Sequence, residues 1–183
     1  MERTQAVQLV KVHMRNQNLI KHVYAVEAVM GALARRLRRD EDTWRMAGLL
    51  HDLDYEDTWD TPERHGLVTA SILEKEGLPG GIIHAVKAHN EATGAPRLSD
   101  MDKALYCADP ITGLIVACAL VKPGKALAEV DTAFVLKKMN EKSFARGASR
   151  EQIVGCVEIG LTVEDFITLS VRAMQHIAPD LGL

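Results

Sequence analysis

His51-Asp52 sets an imidazole beside a carboxylate at the end of the apolar run Met46–Leu50. Side chains of these two types can reach one divalent cation together. Further donors of the same kind stand along the chain: His22 upstream, then His65, His89 and Asp109. Each nitrogen or oxygen ligand replaces water of hydration lost by a bound ion, so a metal site needs such convergence. The set points to a metal enzyme. Asp52 and His51 form the candidate catalytic pair.

Each donor also has a plainer reading. His22 lies on the apolar stripe of its helix, where a histidine can bond a backbone carbonyl. His51 and Asp52 are about 100° apart on a helical wheel, so they converge only if the helix ends there; a His-Asp hydrogen bond closing the helix is the alternative. A carboxylate beside Leu49, Leu50 and Leu53 is costly unless paired or metal-bound. His65 can be a surface histidine. His84 and His89, five residues apart, do not face one ion, and His89, at a helix end, is the better ligand. Asp109 either turns inward or caps a segment starting at Pro110.

The elements that must position these groups are helical. A short first helix carries Val7, Val10 and Met14, and Asn16–Asn18 break it. The second, about 19–38, has the stripe Val26, Val29, Leu33 and Leu37 and ends in the basic run Arg35–Arg39, read as a solvated C-terminus. Asp40 or Asp42 caps a third helix leading into His51. Residues 53–62 read as an acidic loop. Thr61-Pro62-Glu63 then predicts the start of a fourth helix, with His65 in its first turn and Gly77 as its stop. A fifth helix carries His84 and His89. A longer one is capped by Ser99 and Asp102 and runs through Asp109 to about Val121. Helices over about 131–141, from Ser149 to near Gly160, and from Thr162 to about His176 complete an all-α chain with no strand or repeat.

The 183 residues suffice for one core. A net charge of −3 and a pI near 6.2 argue against general nucleic-acid binding. Cys107, Cys118 and Cys156 lack CxxC spacing and read as reduced core thiols. No apolar leader follows Met1 and no apolar run of about 18 residues occurs, so a soluble, cytoplasmic protein is expected.

The order His22, His51-Asp52, Asp109 on successive helices resembles the HD-domain metal-dependent phosphohydrolase superfamily, in particular its small stand-alone HDIG-type bacterial members. His65 and His89 resemble the additional ligands of its binuclear version. The resemblance covers about Leu19 to Val121 and continues into Ala119–Pro123 and Lys142–Gly147. It implies a single HD-type domain over 1–183, with a core at 19–121 and a helical extension at 122–183. It also implies one or two divalent ions (Fe, Mn, Ni, Co, Zn or Mg). His22, His51, Asp52 and Asp109 would hold the first, and Asp52 would bridge to a second on His65 and His89. A metal-bridged hydroxide would then hydrolyse a small phosphate ester or nucleotide. An HD-type di-iron oxygenase and a non-catalytic metal-containing ligand-sensing module are the alternatives.

The chain departs from many relatives after the doublet, where Leu53-Asp54-Tyr55 replaces an Ile-Gly-Lys pattern. The cation for a phosphate must come from elsewhere, and Arg64, Lys103, Lys142 and Arg146 are the candidates, with the basic stretch 137–150 as a lid over an anionic substrate. The expected partner is a small phosphorylated substrate, a nucleotide among the possibilities; no membrane is expected, and a homo-oligomer is an option.

Overall fold

The structure, a computed structural model describing all 183 residues, contains eleven α-helices and no strand. In chain order these are α1 (Arg3–His13), α2 (Gln17–Leu37), α3 (Glu41–Leu50), α4 (Tyr55–Thr58), α5 (Leu67–Lys75), α6 (Gly80–His89), α7 (Asp100–Leu120), α8 (Thr132–Met139), α9 (Arg150–Val154), α10 (Val163–His176) and α11 (Ala178–Leu181). The all-α reading holds.

The helices begin where side chains can satisfy free backbone N–H groups. Asn16, Asp40, Asp131, Ser149 and Thr162 each accept from the backbone two or three residues on. Ser99 and Asp102 make the reciprocal box expected for α7. α7 is the axis of the molecule, packing against α2, α3, α6, α8, α9 and α10. By length and composition it is apolar enough to cross a membrane, yet two thirds of it, 67%, is buried inside the protein. On α2 the expected stripe is real: Val26, Val29 and Leu33 are fully buried, and each such side chain contributes about 1.5–3 kcal/mol. One contiguous core runs from Ala6 to Leu181, and all three cysteines lie in it as free thiols. Burial raises the pKa of each.

Two segments differ from expectation. The stretch 53–62 is not wholly loop, since α4 forms within it. Thr61-Pro62-Glu63 forms turns rather than a helix start, and α5 begins only at Leu67, after Gly66 at φ 85°. The cap comes from a distance: Asp54 Oδ2 accepts from the N–H of Gly66 (2.9 Å) and of Thr69 (2.8 Å). A carboxylate on those donors, favoured by the helix dipole, outcompetes the local Thr-Pro signal.

The most extensive helix pair is α2 with α3, and Gly48 sets its closeness. A Cβ there would lie 2.9 Å from Glu27 N, Val26 C and Val26 O, all backbone. Gly48→Ala is therefore expected to push α3 off α2 and destabilise the protein by about 1–3 kcal/mol, read as a lower midpoint in urea. On the outer side of this pair, buried Glu27 accepts from Arg3 (2.6 and 2.8 Å) and Arg45 (2.8 Å), tying α1 to α2 and α3.

Candidate metal centre

Five elements deliver six donors to one point. His22 lies on α2, His51 and Asp52 at the end of α3, His65 just before Gly66, His89 as the last residue of α6, and Asp109 midway along α7. Asp52 is the hub. Its Oδ1 lies 3.3 Å from His51 Nε2, 3.3 Å from His65 Nε2 and 3.6 Å from His89 Nε2, and its Oδ2 lies 3.6 Å from His22 Nε2. Asp109 Oδ1 is 3.0 Å from His22 Nε2 and 3.9 Å from His51 Nε2. Ligand atoms of His22, His51 and Asp109 lie within 4.8 Å of one another, as do those of His51, Asp52 and His89. The turn from α3 into Asp52 supplies the convergence that one helical stripe cannot. Pro110 does not end α7, which runs through it, and Asp109 still faces His22.

Each imidazole is oriented by its other nitrogen. His51 Nδ1–H donates to Gly48 O (2.8 Å) and His89 Nδ1–H to Val86 O (2.6 Å), because a carbonyl only accepts. Thr112 donates its hydroxyl hydrogen to Asp109 O (2.9 Å), so it accepts from His22 Nδ1–H (3.1 Å). His65 Nδ1–H donates to Asp54 Oδ1 (2.8 Å). All four Nε2 atoms therefore face inward, each ring backed by a hydrogen-bonding partner as metal-binding histidines are. His51 Nε2 and Asp52 Oδ1 are buried and have no hydrogen-bond partner at all. Leaving such atoms unpaired costs about 1–3 kcal/mol each. A divalent cation suits this donor set, because it would satisfy both at once.

The proton inventory agrees. The 3.1 Å contact between His89 Nε2 and His65 Nε2 requires a proton between them, and the carboxylates of Asp52 and Asp54 flanking His65 favour placing it on His65. With Asp54 on its other side, His65 is then an imidazolium. Burial opposes that charge, but the carboxylates of Asp52 and Asp54 on either side outweigh it and push its pKa to about 10. Burial also works against His22, yet Asp109 and Asp52 raise it. His51 goes the other way, down to about 4, because it is buried with little compensation. Asp52 is held well below the usual carboxylate range; burial opposes this, but the surrounding imidazoles prevail.

Two pH effects follow for the metal-free protein. His65 is raised from 6.5 to about 10, so its stabilising contribution is complete below about pH 6.5 and is lost as pH rises through 10. Denaturant melts in chelator should show stability falling over that window on this account. A metal ion held by His65 Nε2 would also have to displace the proton there. Binding near pH 8 should release about one proton or more, and affinity should climb up to tenfold per pH unit; calorimetry in buffers of different ionisation enthalpy reads this directly.

A cavity of about 520 Å³ opens over these donors, walled further by Tyr55, Asn90, Gly113, Gln152 and the 145–148 turn. None of the four cations expected to contact substrate lines it. Lys103 faces Glu158 (3.9 Å), because its position on α7 turns it away from Asp109. Arg64, Lys142 and Arg146 are exposed outside the wall, where their charges stay hydrated. Of the stretch expected to act as a basic lid, Ala145, Gly147 and Ala148 line the cavity, and none of its lysines and arginines does. His84 sits apart, 3.0 Å from Asp102.

Sequence reasoning missed Asp54, Thr112 and Asn90. Asp54 is 1% exposed and orients His65 while capping α5. Asn90 Nδ2 donates to the carbonyls of Pro62 (2.6 Å) and His65 (2.9 Å), fixing the segment before α5. An acid two residues past the doublet, next to an apolar Leu53, was the available signal for Asp54.

Among known protein families, the HD domain matches residues 19–120, more than half of the chain and the stretch holding all six donors. Ribonuclease Y of Oleidesulfovibrio alaskensis is 33% identical over 98 residues, 54% of this chain and 18% of that protein. Ribonuclease Y of Nitratidesulfovibrio vulgaris is 34% identical over 98 residues, with the same coverage. Ribonuclease Y of Desulforudis audaxviator is 31% identical over 140 residues, 74% of this chain and 26% of that protein. The matched segments thus span only about a fifth to a quarter of the length of these curated relatives. No solved structure matches the chain significantly.

Proposed function

This chain belongs to the HD domain family of metal-dependent hydrolases, and from that premise we propose that it hydrolyses the phosphate ester or anhydride bond of a small molecule. The observation that carries the reading is Asp52, a buried carboxylate with the Nε2 atoms of four histidines within 3.6 Å of its two oxygens. His22, His51, Asp52 and Asp109 would hold one divalent ion. His65 and His89, sharing Asp52, would hold a second. Such ions, when bound, supply Lewis-acid charge and lower the pKa of a water to near neutrality. The chain's own residues fix the donors through Gly48, Val86, Thr112 and Asp54, keep the Nε2 lone pairs inward, and bury the carboxylate so that its charge acts at low dielectric.

Size and charge support a small substrate. A volume near 520 Å³ suits a compound of mononucleotide dimensions. A wall free of lysine and arginine offers little to a long polyanion, which such side chains ordinarily neutralise. The relatives named as ribonucleases support phosphodiester chemistry in general, with a nucleotide as one substrate class.

The test is elemental analysis of freshly purified protein, followed by a panel of phosphomonoesters, phosphodiesters and nucleotides with the metal found. Metal-dependent phosphate release or diester cleavage supports the proposal. Stoichiometric iron with oxygen uptake and no phosphate chemistry would replace it with the oxygenase reading; bound metal without any turnover would leave the ligand-sensing one.

A further inference from the structure

The cavity wall opposite the histidines is a turn with an unusual grip behind it. Arg150, at the start of α9, donates to five backbone carbonyls: Lys138 (3.4 Å), Met139 (3.3 Å), Phe144 (2.5 Å), Ala145 (2.7 Å) and Ala148 (2.7 Å). No carboxylate pairs with it. The guanidinium fork is spent on shaping the chain. Ala145 is held at φ 45°, a left-handed conformation that costs a non-glycine residue free energy and persists only where its surroundings impose it.

In a trans peptide the N–H points opposite to the preceding carbonyl. The Phe144 and Ala145 carbonyls point at Arg150, so the N–H groups of Ala145 and Arg146 point away from it. Ala145, Gly147 and Ala148 line the cavity and Arg150 does not; the guanidinium therefore braces the turn from behind. The Ala145 N–H has no backbone acceptor, and it belongs to a residue of the cavity wall, whereas Arg146 does not line the cavity. Gln152, half-buried, lines the same cavity, and its side-chain amide makes no hydrogen bond within the protein.

The geometry points to this turn as the phosphate-binding wall: the backbone N–H of Ala145, with the Gln152 amide, receives the anionic oxygens of a substrate phosphoryl group held over the histidines. The inference rests on the phosphohydrolase reading. It accounts for a cavity without lysine or arginine, since backbone and side-chain amides can hydrogen-bond an anion with no side-chain cation. Arg150 is a positioning residue, acting through the carbonyls it holds.

The test uses the full, metal-loaded chain, with inorganic phosphate binding measured by calorimetry and phosphate-ester kinetics measured in parallel. Gln152→Leu keeps the volume and removes the donor. It should weaken phosphate binding and raise KM about tenfold, the loss of one hydrogen bond to a charged group, with kcat and metal content nearly unchanged. Arg150→Met should raise KM at least as much, again with metal retained; a thermal melt checks that it folds, and Gln152→Leu carries the test if it does not. Lys142→Ala and Arg64→Ala should leave phosphate affinity unchanged. Unaltered phosphate affinity in Gln152→Leu would overturn the wall. So would a rise in KM on Arg146→Ala larger than that on Arg150→Met, which would assign the contact to a guanidinium. If the wild-type protein binds metal but neither binds phosphate nor cleaves any ester, the phosphohydrolase reading itself fails and the wall falls with it.

Discussion

Asp52→Ala should strip the protein of bound metal and lower turnover by on the order of 10³ or more. The expectation comes from position. Asp52 is the one carboxylate that reaches all four imidazoles, with Oδ1 serving three and Oδ2 the fourth. Without it, the two ions proposed above would lose the anionic ligand that they would share. Metal charge stabilisation is worth several kcal/mol of barrier, and about 4 kcal/mol is 10³ in rate. Elemental analysis after loading and gel filtration gives occupancy, and circular dichroism reports the fold. Asp52→Asn is the gentler companion, since it preserves volume and one carbonyl oxygen. Should either variant fold and keep both its full complement of metal and wild-type turnover, the hub assignment is wrong.

Asp54→Ala should be nearly as damaging, although Asp54 is farther from any proposed ion. Its carboxylate does two things. Oδ1 receives His65 Nδ1–H, which aims Nε2 at Asp52. Oδ2 receives the N–H groups of Gly66 and Thr69, which starts α5. Outer partners of metal-binding histidines typically contribute 10–100-fold in affinity. Loss of a helix cap costs about 0.5–2 kcal/mol besides. The two effects separate experimentally. Asp54→Asn can retain one acceptor oxygen, so either His65 or the α5 cap is kept but not both. Metal affinity from chelator competition and stability from denaturant melts should therefore fall in different proportions in the two variants. Asp54→Ala with unchanged metal affinity would mean that His65 is held by something other than this carboxylate. Asp54→Ala should also lower the raised pKa of His65 part of the way back, since one of its two carboxylate neighbours is gone while Asp52 remains.

Much of the site's chemistry could be read from residue types alone. His22, His51, Asp52, His65, His89 and Asp109 are the donors that meet, and the stripe on α2 and the box at Ser99 were visible because both are local patterns of three to four residues. Asp54 carried only a weak local signal, its place beside Leu53. In Asp54-Tyr-Glu-Asp57 it looks like its solvated neighbours, and what distinguishes it is the return of Gly66 and Thr69, 12 and 15 residues later. The same return overrode Thr61-Pro62 as the start of α5. The basic residues failed for a related cause. Nothing local says that Lys103 faces Glu158, or that Arg150 rather than Arg146 shapes the cavity wall.

By itself, then, the order of residues determined an all-helical chain, its caps, its apolar faces and a supply of imidazole and carboxylate ligands, because helical periodicity and capping are settled within a few residues of chain. Tertiary structure decided which donors share a point, which nitrogen each histidine turns inward, and which charges are kept out. Those outcomes depend on close approaches such as that of α2 and α3 at Gly48, and on hydrogen bonds such as His22 to Thr112, 90 residues apart. Contacts of that range form only when the whole core packs.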